Sequence, residues 1–392
     1  MPNTYASRMG TVHRSFIREI LKVTADPSII SFAGGLPNPR MFPVEAMKEA
    51  AVSVLGTSGP ASLQYSTTEG DPVLREFIAG RYSKTKNLSV TPDDLIVTTG
   101  SQQCLDLVGK VFLNKGDKVV IESPGYLGAI QSFSLFEPEF VAVPLESDGP
   151  DLQRLEEAFA DGAKVFYAVP NFQNPSGLSY SLEKRRAVAK LLDKYGVLFV
   201  EDDPYGELRF KGEHLPTVHS LQKKPGILLG SFSKIAAPGF RIGWLVASGE
   251  RRDKLIIAKQ AADLHTSTVT QAVMREYVLN NDVEEHIRHI CEVYGSHRDV
   301  MVAMIDEYFP DTVETTRPDG GMFLWVTLPK GCSSMELFDK AIERKVAFVP
   351  GKPFYTDGGG ENTLRLNFSN AEPDRIEEGI KRLAESIREF VR

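Results

Sequence analysis

From Ile227 to Val246 the chain reads ILLGSFSKIAAPGFRIGWLV. Two short runs rich in branched and aromatic residues, Ile227-Leu228-Leu229 and Ile242-Gly243-Trp244-Leu245-Val246, flank a polar turn. Such runs predict buried strands. The turn carries Ser231, Ser233 and Lys234, with Arg241 shortly after. A lysine delivered from a fixed backbone can form an imine with an aldehyde cofactor. Serines just before it and an arginine just after can grip a phosphate, the arginine in bidentate fashion. A lysine in a turn is usually a solvated surface group. Ser-x-Ser-Lys followed by Arg-x-Gly is the most specific signal in the chain.

Working outward, the same alternation recurs. Leu95-Ile96-Val97-Thr98-Thr99, Val119-Val120-Ile121, Val165-Phe166-Tyr167-Ala168-Val169 and Val197-Leu198-Phe199-Val200 read as further strands. Helical patterns lie between them, for example Leu105, Val108, Val111 and Phe112. Strand and helix in repetition predict an α/β layer fold with a largely parallel sheet. The last part differs. A long helix near residues 282–308, a strand at Met322-Phe323-Leu324-Trp325-Val326, a helix from Ser334 and a strand at Leu364-Arg365-Leu366-Asn367 predict a smaller α+β domain. The expected division is an N-terminal segment (1–50) that completes the small domain and covers the site, a large domain (51–285) and a small C-terminal domain (286–392). Gly358-Gly359-Gly360 reads as a turn, and Gly34-Gly35 and Gly320-Gly321 as tight backbone turns.

Three more segments sit where a predicted strand ends, which is where ligands gather in an open parallel sheet. Glu201-Asp202-Asp203-Pro204-Tyr205 offers a carboxylate that can pair with a protonated pyridine nitrogen and keep the ring electron-withdrawing. Tyr205 could then hydrogen-bond the ring's phenolic oxygen. An acidic loop capping a helix reads equally from the segment alone. Asn174-Pro175-Ser176-Gly177 is turn chemistry first, and the Asn174 side chain is a second candidate donor to that phenolic oxygen. Thr99-Gly100-Ser101-Gln102-Gln103 leads into a helix whose N–H groups, with Ser101, suit a phosphate; Ser101 would serve as an ordinary N-cap just as well. Tyr126 offers an aromatic face for a pyridine ring, or a core tyrosine.

The 392 residues are 42% apolar and carry a formal charge of −7, which supports a sizeable core and argues against nucleic acid as a partner. Short basic runs such as Lys184-Arg185-Arg186 read as helix faces. Cys104, Cys291 and Cys332 form neither a disulfide framework nor a zinc pattern. His286 and His289 share a helix face without further ligands, so no metal is expected. No secretory signal and no membrane span is evident, and a cytoplasmic protein is expected.

Ser28 to Pro43 (SIISFAGGLPNPRMFP), Gln64 to Gly70 (QYSTTEG), GSQQ, QNPSG, EDDPYGELRF, GSFSK and GGGENTLRLNFS, in this order, resemble the fold-type I aminotransferases of class I/II. The similarity spans nearly the whole chain, and it lies nearest the branch of 2-aminoadipate (lysine biosynthesis) and kynurenine aminotransferases. The resemblance implies the pyridoxal-phosphate-dependent transferase fold, with a mainly parallel seven-stranded sheet in the large domain. It implies pyridoxal 5'-phosphate held covalently on Lys234, with Asp202 at the pyridine nitrogen, Asn174 and Tyr205 at the phenolic oxygen, and Tyr126 over the ring. Ser101, Gln102, Ser231, Ser233 and Arg241 are then the phosphate ligands, and Tyr65 reaches the phosphate of the neighbouring subunit of a homodimer. Arg365 binds the substrate α-carboxylate, with Asn174 and Gly35 beside the substrate. Ser176 stands where many relatives carry Thr, and both fit the turn.

The implied reaction is reversible ping-pong transfer of an amino group from an L-amino acid to a 2-oxo acid such as 2-oxoglutarate. Ser15 to Lys22 has helical apolar spacing at Phe16, Ile17, Ile20 and Leu21. Within the resemblance this is a mobile helix that closes over the site. It carries Arg18 toward the distal carboxylate of glutamate or 2-aminoadipate, or presents it merely as a solvated face residue. A β-lyase or decarboxylase on the same scaffold shares the lysine, aspartate and carboxylate clamp. An aminotransferase-like sensor behind a DNA-binding module is a further alternative, disfavoured by the short stretch before Ser31 and by the acidic charge.

Overall fold

The computed structural model describes residues 4–10, 20 and 26–391. Strand β1 (Ile30–Ser31) comes first, and the helices Val44–Ser62 and Pro72–Lys86 lead to the main sheet. That sheet contains β2 (Leu95–Thr98), β3 (Lys118–Ser123), β4 (Glu139–Glu146), β5 (Gly149–Pro150), β6 (Val165–Ala168), β7 (Leu198–Asp202), β8 (Ile227–Ser231) and β9 (Gly243–Val246). Their order across the sheet is β2-β9-β8-β7-β6-β3-β4-β5. Seven strands of four or more residues make the mainly parallel sheet that the resemblance implied, and β5 adds a two-residue edge. Within those seven only β9 runs backward, antiparallel to both β2 and β8.

The strand sequences follow from this burial. Every residue of β2, β6, β8 and β9 is buried, because helices cover both faces, and a strand covered on both faces reads as a continuous apolar run. Alternate residues still serve different layers. Phe166 and Ala168 pack with Leu155 and Phe159 of the Leu152–Ala160 helix and Val188 and Leu192 of the Leu182–Tyr195 helix. Val165 and Tyr167 belong to the other layer, with Leu105 and Val108 of the Ser101–Phe112 helix. Each large apolar side chain buried in these layers contributes about 1.5–3 kcal/mol. Strand β4 has no counterpart in the apolar runs. Only Val143 of its eight residues is buried and it contains Pro144, as fits a position between β3 and the short edge strand β5.

A second, antiparallel sheet is formed by β10 (Glu314–Thr315), β11 (Phe323–Thr327), β13 (Val349–Pro350) and β14 (Thr363–Asn367), in the order β10-β11-β14-β13. Strand β12 (Val346–Ala347) pairs in parallel with β1, so the N-terminal segment is hydrogen-bonded into the C-terminal part. The Val283–Tyr308 helix starts one residue after its predicted beginning, with Asp282 as its N-cap accepting from the Glu285 N–H. Among the described residues no helix is long and apolar enough to cross a membrane.

Candidate active site

Because β2, β3, β6, β7 and β8 run in parallel, their carboxyl ends share one edge, and the chemistry-bearing segments follow them there. Asp202 ends β7 and Ser231 ends β8. Antiparallel β9 begins where the others finish, so the turn before it brings Arg241 to the same edge. There Gly35, Ser101, Gln102, Tyr126, Asn174, Asp202, Tyr205, Ser231, Ser233, Lys234, Arg241 and Arg365 line one cavity of about 270 Å³. These are the predicted site residues apart from Tyr65 and Arg18.

One end of the cavity is a cup of donors. The Ser101–Phe112 helix begins there, with Gly100 and not Ser101 at its N-cap, and no side chain caps it. Gly100 has φ +74, and a Cβ on it would run into the Arg241 guanidinium. Gly243 approaches equally closely, since its Cβ would meet the Ser101 amide nitrogen at 2.6 Å. Two glycines therefore let β9 and the helix start close around the same point. Ser231 Oγ donates to Ser233 Oγ at 2.7 Å and accepts from the Ser233 amide at 3.0 Å. A helix N-terminus, three hydroxyls and a guanidinium form a site suited to a dianion.

Lys234 stands between this cup and the second sheet, and its Nζ donates to the Gly35 carbonyl at 2.9 Å. Burial, with the positive charges of Arg365 and Arg241, brings the amine down to about 8. Arg365 projects from β14. It donates to Asn174 Oδ1 and to the Ala33 carbonyl, each at 2.7 Å. The guanidinium lies 4.3 Å from the ring centre of Phe323 and 5.5 Å from that of Phe354, and burial lowers it to about 10. Asn174 Nδ2 in turn donates to the Tyr205 hydroxyl at 3.4 Å. Burial pushes Tyr126 up to about 12 and Tyr205 up as well, so both remain neutral phenols.

The turn holding Asn174 is itself braced from below. Gln173 Oε1 accepts from the Ser176 amide at 2.8 Å and from its hydroxyl at 2.6 Å, a contact that a serine or a threonine hydroxyl can make. Buried Glu122 accepts from Gln173 Nε2, the Tyr180 hydroxyl and the Val169 amide.

The two adjacent aspartates have different surroundings. Asp203 is held by Lys86 and by Asn171 Nδ2, the latter at 2.8 Å, and Lys86 keeps its carboxyl below the usual range despite burial. Among the described residues Asp202 has no cation beside it. Burial pushes it up to about 7; the Tyr167 hydroxyl, donating to Oδ2 at 2.7 Å, opposes that shift, and Asp203 adds to it. Among the described residues Asp202 Oδ1 is buried with no hydrogen-bond partner.

Tyr65 lies apart from the cavity. It is 78% exposed, edge-on to the His265 ring at 5.8 Å. Arg18 and its neighbours on the expected covering helix fall outside the described residues, except Ile20, which is buried. Sequence reasoning did not single out Val169, Pro204 or Pro238, which also line the cavity, nor Tyr167 behind Asp202. The available signal for Tyr167 was a single phenol in an otherwise apolar buried strand.

The family model described as aminotransferase class I and II matches residues 33–383. The 2-aminoadipate transaminase of Thermus thermophilus is 44% identical over 97% of this chain and 95% of its own length. Aromatic-amino-acid aminotransferase 1 of Thermococcus litoralis is 42% identical over 96% of this chain and 92% of its own. The crystal structure of Pyrococcus horikoshii kynurenine aminotransferase, in complex with PMP, superposes with a TM-score of 0.95 at 42% identity, covering 99% of this chain and 98% of that one. With the full length of the fold and the whole cavity-bearing region inside these matches, the chain belongs to the class I and II aminotransferases.

Proposed function

We propose that the chain is a broad-range transaminase of the 2-aminoadipate type, working on pyridoxal 5'-phosphate with 2-oxoglutarate as an amino acceptor. The observation that carries this reading is the convergence, in one cavity, of a lowered lysine amine, an unpartnered buried carboxylate oxygen, an anion cup and a desolvated arginine. Each fits a different part of that cofactor and its substrate. Ser101, Gln102, Ser231, Ser233 and Arg241 would hold the phosphate, Asp202 the ring nitrogen, Asn174 and Tyr205 the phenolic oxygen, and Tyr126 the ring face. When bound, the cofactor supplies an aldehyde that takes up the amino group and a cationic ring that withdraws electrons from the substrate carbon.

The chain's own groups do the rest. Arg365 binds the α-carboxylate through a bidentate, charge-assisted contact, and Asn174 and Gly35 orient the same end of the substrate. The Lys234 amine accepts the α-proton and returns it, and an amine lowered to about 8 is well matched to that exchange near neutral pH. A panel of amino donors assayed with 2-oxoglutarate tests the proposal. Turnover of 2-aminoadipate and aromatic donors supports it, and release of ammonia or carbon dioxide in place of transfer overturns it.

The reading extends to a homodimer with shared sites. Leu63, Tyr65, Leu264 and Leu279 are exposed apolar side chains on or beside the Val44–Ser62 and Thr268–Asn280 helices, which support a second copy of this chain as the partner. If Tyr65 serves the opposite site, mixing inactive Lys234→Ala and inactive Tyr65→Ala protomers restores partial activity, because one site of the heterodimer then has both groups. An active monomer in sedimentation contradicts it.

Arg18 is proposed to read the distal carboxylate of dicarboxylic substrates from the covering helix. Arg18→Ala should lower kcat/KM for 2-aminoadipate and glutamate by about 10- to 150-fold, the loss of one charge-assisted contact, and leave leucine almost unchanged. An equal fall for all three makes Arg18 structural.

A further inference from the structure

Strand β6 is apolar except for one phenol, Tyr167. Strands β6 and β7 are parallel neighbours in which Tyr167 lies opposite Val200. Side chains two residues apart share a face, so Asp202 emerges on the side of the sheet that Tyr167 occupies. The Tyr167 hydroxyl donates to Asp202 Oδ2 at 2.7 Å, with the tyrosine fully buried and the aspartate 2% exposed. The remaining oxygen, Oδ1, is buried without a partner in a residue that lines the cavity. Buried polar atoms in folded proteins are nearly always paired, so an orphan oxygen at a cavity wall points to a ligand donor.

We propose that Tyr167 is the positioning residue of the ring-nitrogen site: its phenol occupies Oδ2, fixes the orientation of the carboxylate and leaves Oδ1 as the acceptor for the ring N–H of the cofactor. The proposal rests on the reading that Asp202 meets the ring nitrogen. Asp202 has no cation to hold its charge, and both burial and the neighbouring Asp203 favour its neutral form. Asp203 is committed to Lys86 and Asn171 and cannot take its place. Tyr126, Tyr205 and Cys104, which face Asp202 from the surrounding elements, all have protons held more tightly than usual and bring no positive charge. Tyr167 is therefore the donor that stabilises the charged form. Its ring also packs edge-on against Phe133, 5.9 Å between centres, a contact that phenylalanine retains.

The test is binding of pyridoxamine 5'-phosphate, and of its analogue with the ring nitrogen replaced by C–H, to the full chain freed of cofactor. Wild type, Tyr167→Phe, Asp202→Asn and the double variant are compared by equilibrium dialysis. Tyr167→Phe should weaken pyridoxamine phosphate about 10-fold, the loss of one hydrogen bond to a charged group, and leave the C–H analogue unchanged. In the Asp202→Asn background the same change should have an effect below about twofold, since the two residues act as one unit. If Tyr167→Phe weakens both ligands equally, or not at all, while Asp202→Asn discriminates between them, the role given to Tyr167 is wrong and that of Asp202 stands. If Asp202→Asn itself fails to discriminate, both assignments fall.

Discussion

Lys234→Ala should lose turnover by about 10³-fold or more and still retain the cofactor. A group that moves the proton in the reacting step is worth roughly 10²–10⁴-fold by itself, and here the same amine is also the proposed covalent anchor. Retention follows from the separation of tasks within the cavity: Ser101, Ser231, Ser233 and Arg241, the proposed phosphate ligands, line it and are untouched by the change. Three measurements check this. Protein-bound phosphate after gel filtration should match wild type, and kcat with 2-aminoadipate and 2-oxoglutarate should fall to near background. Borohydride should fix the cofactor to wild type at Lys234 and fail to fix it to the variant. Full activity in Lys234→Ala would remove the lysine from the reaction.

Asp202→Asn should cost on the order of 10²–10³ in kcat with little loss of phosphate anchoring. The amide has nearly the shape of the acid but carries no charge, so the variant isolates the electrostatic contribution, and preorganised contacts of this kind are worth about that much. The neighbouring carboxylate cannot substitute: Asp203 has both oxygens engaged, by Lys86 and by Asn171. Asp203→Asn should accordingly act mainly on stability, because it leaves the buried Lys86 ammonium without its counter-charge. The measurement is kcat and thermal midpoint for both variants side by side. Turnover of Asp202→Asn within about threefold of wild type would contradict its role at the ring nitrogen.

Much of this was readable in order along the chain. The apolar runs at Leu95, Val119, Val165, Val197, Ile227 and Ile242 each became a strand within a residue or two, because strands covered on both faces have no polar positions to blur the pattern. Strand β4 escaped notice because it is mostly half-exposed and interrupted by Pro144, and so is not such a run. Lys234, Asp202 and Asn174 could be nominated because each lies at or after a strand end, and a parallel sheet gathers those ends on one edge.

Sequence by itself determined the alternation of elements, the lysine with its flanking serines, and the family to which these motifs point. Tertiary structure decided the pairings. Arg365 meets Asn174 across 191 positions of chain, and Lys234 meets Gly35 across 199. The reversed direction of β9 brings Arg241 to the cup of donors, and nothing in the local pattern of Ile242 to Val246 states a direction. Asp202 and Asp203 are interchangeable as letters; only their neighbours, Tyr167 for one and Lys86 with Asn171 for the other, set one free toward the cavity and lock the other away. The physical reason is the range of each signal. Periodicity and turn chemistry act over a few residues and are written locally, whereas the partner of a buried polar atom is whichever group the packed layers bring within about 3 Å of it.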